Sequence, residues 1–130
     1  MGQSKPSRPT ALIVDDDPMQ REMLCVLLEE CDYDVIQCES AEAAERVLDK
    51  TARCLALMMT DVNLAGRMNG IELAHIAKRR NPGLDVVVTS GRPLREPLPD
   101  GTKFWSKPWA PLDVLREATF AHGQAEGNSR

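Results

Sequence analysis

Short apolar runs of β type alternate along this chain with stretches in which apolar residues recur at helical spacing. The runs ALIV (11–14), VIQC (35–38), LALMMT (55–60), LDVVVTS (84–90) and the weaker KFWS (103–106) predict five strands. After the first run, Leu24, Leu27, Leu28 and Cys31 fall on one face of a helix beginning near Pro18. Asp17 supplies its cap oxygen, Pro18 has a backbone already set for a helix, and Gln20 stands three residues after the cap. A second helix is expected from about Ser40 to Lys50, with Ala41, Ala44, Val47 and Leu48 inward and Glu42 and Glu45 in its first half. A third starts near Asn69, which has capping-box spacing to Glu72; it buries Ile71, Ala74 and Ala77 and stops at Asn81-Pro82-Gly83. The last is expected over about Pro111 to Ala121, with Leu112, Leu115 and Thr119 along one side. This alternation is the pattern of βα units around a parallel sheet.

One connection breaks the pattern. Residues 91–102 read GRPLREPLPDGT, and Pro93, Pro97 and Pro99 each remove a backbone donor. Room remains for a helix of no more than about one or two turns, so an irregular loop is expected. Residues 1–9, with Pro6 and Pro9, read as a flexible arm, residues 10–122 as the domain, and the tail GQAEGNSR (123–130) as a segment with nothing to pack.

Composition adds bounds rather than direction. A chain of 130 residues, 42% hydrophobic and 28% charged, suffices for one folded domain that buries roughly two-thirds of its unfolded surface. No window approaches the roughly 18 apolar residues of a membrane helix, and the N-terminus lacks the apolar core of a secretory signal. A soluble, cytoplasmic protein is expected. The net charge of −4, with no Lys/Arg stripe, argues against nucleic acid as main partner and for proteins or a small charged ligand. Cys25, Cys31, Cys38 and Cys54 show no CxxC or Cys/His spacing and read as reduced, buried thiols.

Chemistry gathers at the strand ends. In an open parallel sheet the carboxyl ends of the strands share one edge, where ligands bind. Here they deliver Asp15-Asp16-Asp17, Asp61, Thr89-Ser90-Gly91 and Lys107-Pro108. Taken singly, Asp17 is a helix cap, Asp15, Asp16, Asp61 and Ser90 are turn residues, and Lys107 is an exposed lysine lying on a tryptophan. Taken together, clustered carboxylates repel, and a divalent cation relieves that cost. Mg²⁺ takes oxygen ligands from one or two carboxylates together with phosphate oxygens. Asp61 then suits a nucleophile toward phosphorus, Lys107 a neutraliser of phosphoryl charge, and Ser90 a hydroxyl donor.

The segments IVDDDP, MMTDVNLAGRMNGIEL, VVVTSG and FWSKPW, over about residues 10 to 122, resemble the response regulator receiver domain (CheY-like) of bacterial two-component signalling. That resemblance implies an α/β doubly wound, flavodoxin-like sheet of five parallel strands in order 2-1-3-4-5, here with a shortened or missing fourth helix. It implies Asp61 as phospho-acceptor from a histidine kinase or phosphotransfer protein, with Asp15 and Asp16 holding Mg²⁺, Asp16 the more directly, and the Asn63 backbone carbonyl completing the protein ligands. Ser90 matches the hydroxyl switch, Phe104 the aromatic switch and Lys107 the phosphate-pairing lysine, with a cis bond to Pro108. Ala65 stands where the family has proline, in a slightly longer loop, and Arg92 takes a position that influences phosphate loss. The helix missing from residues 91–102 normally helps build the output face.

The reading is a standalone signalling switch, not an enzyme beyond its own phosphorylation and dephosphorylation. Its signal leaves through an unidentified downstream protein or ends in a phosphate sink or relay. Two rivals stand beside it. One is a haloacid-dehalogenase-type phosphatase with Asp15 as nucleophile and Asp17 as general acid, opposed by Met19, by the short chain and by an idle Asp61. The other is a pseudo-receiver that binds without being phosphorylated. Trp105 and Trp109 are expected to cover the sheet edge beside the last helix, the sharper alternative being an exposed anchor for a partner. His75 and His122 read as solvated surface residues.

Overall fold

A computed structural model describes residues 8–128. Strands β1 (Thr10–Val14), β2 (Asp34–Cys38), β3 (Leu55–Asp61), β4 (Asp85–Ser90) and β5 (Lys103–Ser106) alternate with helices α1 (Pro18–Glu30), α2 (Ala41–Thr51) and α3 (Gly70–Arg80), and α4 (Pro111–Asn128) follows β5. The strands pair in parallel in the order β2-β1-β3-β4-β5, so the chain reverses direction across the sheet after β2. β3 and β4 are buried along their whole length, as continuous apolar runs covered on both faces should be. The edge strands β2 and β5 alternate or are half-exposed.

The period-2 alternation of the strands divides the core. Leu12, Val14, Met58, Val86 and Val88 face Ala44, Leu48, Leu73, Ala74 and Ala77 of α2 and α3. Ala11, Ile13, Leu57, Met59 and Val87 face Leu24 and Leu28 of α1 and Val114, Ala118 and Ala121 of α4. Truncating a fully buried residue such as Leu28 to Ala would cost about 2–5 kcal/mol. Tyr33 pins the second layer: its hydroxyl donates to the Ala118 carbonyl at 2.5 Å, tying the α1–β2 turn to α4.

The start signals act as expected. Asp17 accepts from the Met19 N–H, Ser40 from the Ala43 N–H, and Asn69 with Glu72 closes both halves of a capping box. Residues 91–102 contain turns and no helix. Trp105 and Trp109 are half-buried and pack on the α1/α4 layer, so they cover apolar surface.

Several expectations change. The buried stripe of α4 is Val114, Ala118 and Ala121, while Leu112 is exposed, Thr119 faces out and Leu115 is half-buried. The Tyr33 hydroxyl, bonded to the Ala118 carbonyl, holds this face of the helix toward the core. The helix also continues to Asn128, past the expected end near Ala121. Cys25, Cys31, Cys38 and Cys54 are free, but Cys54 is exposed at the end of a short 3-10 turn and Cys31 is only half-buried. His75 and His122 are half-buried rather than solvated: His75 Nε2 lies 3.2 Å from the Pro97 carbonyl oxygen, and the His122 ring meets Tyr33 edge-on at 6.3 Å. Of the expected N-terminal arm, residues 1–7 lie outside the described residues, while the Pro9 carbonyl accepts from the Asp34 N–H and so joins the sheet edge.

Candidate phosphoryl-transfer site

The carboxyl edge of the sheet is assembled by strand register. Asp61 ends β3 level with Thr89 of β4, Ser90 is level with Ser106 of β5, and Lys107 follows directly. Asp15 and Asp16 leave β1, and the Asp15 N–H bonds the Cys38 carbonyl at 3.1 Å, continuing the ladder one residue beyond the strand. The backbone positions of Asp15, Asp61, Ser90 and Lys107 are therefore fixed by main-chain hydrogen bonds before any side chain is considered.

One carboxylate oxygen from each of Asp15, Asp16 and Asp61 lies within 4.8 Å of the others. Asp15 is 3% exposed, Asp61 is 9% exposed and Asp16 is open to solvent. Lys107 Nζ donates to Asp61 Oδ2 at 3.0 Å, giving the cluster one cation. Asp15 Oδ1 accepts from the Asp17 N–H at 2.9 Å, and Arg21 holds the Asp15 carbonyl at 2.7 Å. Burial pushes the Asp15 carboxyl above its ordinary value; the Asp17 N–H and Lys107 oppose the rise, while Asp61 and Asp16 add to it by repulsion. Three oxygen-bearing acids with one lysine between them leave a net negative site, and an all-oxygen donor set suits a hard cation such as Mg²⁺.

Ser90 is buried at the end of β4, its Oγ accepting the Arg92 N–H at 3.1 Å, and its carbonyl takes the Lys107 N–H at 2.9 Å. The Lys107–Pro108 bond is cis. Arg92 and Asn63 are exposed near these strand ends. Phe104 stands apart from the rest: it pairs with Val88, two residues back along β4 from Ser90, and is 37% exposed. Asp17 spends its carboxylate on the α1 cap and so is engaged where the phosphatase reading needs a general acid.

Two contributors had no signal that the sequence reading used. Gly70 packs so closely behind Asp61 that a Cβ there would stand 1.9 Å from the Asp61 carbonyl oxygen, and its N–H bonds the Val62 carbonyl at 2.9 Å. The placement of a glycine at the first position of α3, directly after the Asn69 cap, is the trace that would have flagged it. The other is Glu42, which accepts from the Arg67 and Met68 N–H groups across the β3–α3 loop. Beside the acids, Met19, Met23 and Val26 leave an exposed apolar strip along α1.

Comparison with known proteins agrees with this architecture. The family described as response regulator receiver domain matches residues 11–97. Transcriptional regulatory protein AruR of Pseudomonas aeruginosa is 34% identical over 87 residues, which are 65% of this chain and 35% of that protein. The chain thus spans about a third of the length of that relative. A response regulator receiver domain protein (CheY-like) from Methanospirillum hungatei superposes with a TM-score of 0.82 at 25% identity, covering 94% of this chain and 99% of that one. A receiver protein from Sinorhizobium medicae gives 0.80 at 19% identity over 91% and 97%, a likeness of fold. With the family matched over residues 11–97, more than half of its length, the chain belongs to the response regulator receiver domain family of two-component signalling.

Proposed function

We propose that this receiver is a Mg²⁺-dependent phosphorylation switch in which Asp61 takes a phosphoryl group from a histidine kinase or phosphotransfer protein. The observation that carries this is Lys107 Nζ at 3.0 Å from Asp61 Oδ2, beside acids whose oxygens gather within 4.8 Å. The free Asp61 oxygen attacks phosphorus, an O–P bond forms, and the P–N bond to the donor imidazole breaks with its electron pair returning to nitrogen. Lys107 neutralises charge on the phosphoryl oxygens, and the Ser90 hydroxyl turns from the Arg92 N–H to donate to one of them. Asp15, Asp16, Asp61 and the Asn63 carbonyl would hold Mg²⁺, which supplies further neutralisation of phosphoryl charge. Next to the site, the exposed apolar strip of α1 offers surface to the donor protein. The output passes to a downstream protein in the cytoplasm or ends in a phosphate sink, with Ser90 and Phe104 as switch positions. Membership of the receiver family displaces the phosphatase alternative.

Intact-mass spectrometry after incubation with acetyl phosphate tests the reading. A single Mg²⁺-dependent phosphoryl adduct, missing in Asp61→Asn, is expected; a folded, Mg²⁺-binding chain without adduct would instead be a pseudo-receiver. Arg92 shields or reorients the water that removes the phosphoryl group, so Arg92→Ala changes the autodephosphorylation rate. An unchanged rate would remove Arg92 from the mechanism.

A further inference from the structure

The loop from Val62 to Asn69 carries Asn63, and its two ends are fixed. The Val62 N–H bonds the Thr89 carbonyl and the Gly70 N–H bonds the Val62 carbonyl, both at 2.9 Å. The middle is a different problem. Ala65 stands where the family has proline, Gly66 adopts a left-handed φ of 102°, and Ala65, Gly66 and Arg67 are exposed. Packing therefore does little at the tip, and without the proline ring the backbone has more conformations to lose. What holds it comes from α2. Ser40 forms an isolated parallel bridge with Ala65, and one oxygen of Glu42, Oε2, accepts from two successive N–H groups, Arg67 and Met68, each at 3.0 Å.

We propose that Glu42 is a positioning residue for phosphoryl transfer: from the first turn of α2, its carboxylate fixes the bend of the loop that presents Asn63 to the acidic site. This rests on the functional reading above. Two backbone donors converging on an ionised oxygen make charge-assisted bonds, roughly twice as strong as neutral ones. Gly66 leaves the room for them, because a Cβ at that position would stand 2.7 Å from Glu42 Oε1. The Glu42 carboxyl is held below its ordinary value, first by a bond from its own N–H and then by those of Met68 and Arg67, so it is ionised at neutral pH. Glutamate has the reach for this and aspartate is one methylene short. A glutamine keeps an acceptor oxygen but loses the charge.

The test is a Mg²⁺ titration followed by backbone amide resonances, with hydrogen exchange at Arg67 and Met68 and the initial rate of acetyl phosphate labelling across the same Mg²⁺ range. In Glu42→Ala both amides lose protection and the Mg²⁺ midpoint rises about tenfold, the lower end for groups that orient a metal's ligands without touching the metal. At saturating Mg²⁺ the labelling rate returns close to that of the unaltered chain, because Asp61, Lys107 and Ser90 are untouched. Glu42→Gln falls between the two. Gly66→Ala, which displaces the loop from the other side, reproduces the rise without altering α2. An unchanged Mg²⁺ midpoint in Glu42→Ala overturns the proposal, whether or not the amides lose protection, and so does a raised midpoint that Glu42→Gln fails to recover in part. If the unaltered chain binds Mg²⁺ yet takes no phosphoryl group, the functional reading fails while the midpoints still decide the role of Glu42.

Discussion

The molecule holds two clusters of carboxylates around a lysine, one at each edge of the sheet. At the carboxyl edge, Asp15, Asp16 and Asp61 gather beside Lys107, which bonds Asp61, with Asp16 in solvent and the three carboxylates each offering an oxygen to one shared space. At the opposite edge, Asp85 at the start of β4 meets Glu117 of α4, each 7% exposed, with Lys103 at the start of β5. Lys103 Nζ is 2.6 Å from Glu117 Oε2, 3.8 Å from Asp85 Oδ1 and 3.8 Å above the Phe120 ring. Asp85 Oδ2 has no hydrogen-bond donor among the described residues, and the Glu117 carboxyl lies within hydrogen-bonding reach of Asp85. Burial first, and then Glu117, pushes the Asp85 carboxyl up to about 8. Lys78 contributes little relief, since its ammonium is spent on the Pro82 and Leu84 carbonyls at 2.9 Å each. The contrast shows that composition does not make a site: Asp15 and Asp61 are as buried as Asp85 and Glu117, and what sets the carboxyl edge apart is a third, exposed acid, Asp16, whose oxygen lies within 4.8 Å of theirs.

The largest expected effect separates the two by pH. Asp85 is raised in the folded chain, so between about pH 4 and about 8 the folded state binds the extra proton. The contribution of Asp85 to stability is then fully present below about pH 4 and is lost progressively as pH rises toward about 8. Denaturant unfolding from pH 5 to 8 should show this slope, and Asp85→Asn should flatten it. An equal slope in the variant would mean that the Asp85–Glu117 pair holds no shared proton.

Exchanging each lysine for Met comes next. Lys103→Met leaves buried acids without their cation and should cost about 2 kcal/mol, less than a fully buried pair would because 38% of the Lys103 side chain is exposed. Lys107→Met, with 30% of that lysine's side chain exposed and its partner Asp61 buried, should cost a comparable amount while also slowing phosphorylation about a hundredfold. Phosphorylation slowed equally by Lys103→Met, read by intact mass, would merge the two clusters into one kind.

Mg²⁺ gives a smaller difference. At ten times its dissociation constant it should stabilise the protein by about 1.4 kcal/mol, an effect lost in Asp16→Asn and kept in Asp85→Asn. Smallest of all, Asp16→Asn in metal-free buffer should be more stable by about 0.5 kcal/mol, since one of three repelling charges is gone. A loss of stability there would show that the acids of the open site do not oppose one another.

The elements of this fold were legible wherever a residue's role is local. The five apolar runs became strands, Asp17, Ser40 and Asn69 capped the helices expected of them, and the prolines of residues 91–102 excluded a helix. Asp15, Asp16, Asp61, Ser90 and Lys107 were all found as polar residues at strand ends, because the ends of parallel strands share one edge. The inward face of α4 was not legible. Leu112 outranks Ala118 in hydrophobicity, yet Ala118 is buried, on the face whose Ala118 carbonyl is bonded by the Tyr33 hydroxyl. Nor did periodicity reveal the buried pairing of Asp85 with Glu117.

By itself the sequence determined the period of each element, its caps and breakers, and the set of acids and lysine that a parallel sheet must bring together. Those follow from backbone geometry within a few residues, which the chain carries locally. Tertiary structure alone decided that Asp85 is buried beside Glu117, which face of α4 is inward, and that Glu42 reaches the Arg67 and Met68 N–H groups. Each depends on groups more than twenty residues apart in the chain, and their spacing exists only once the sheet and helices have packed.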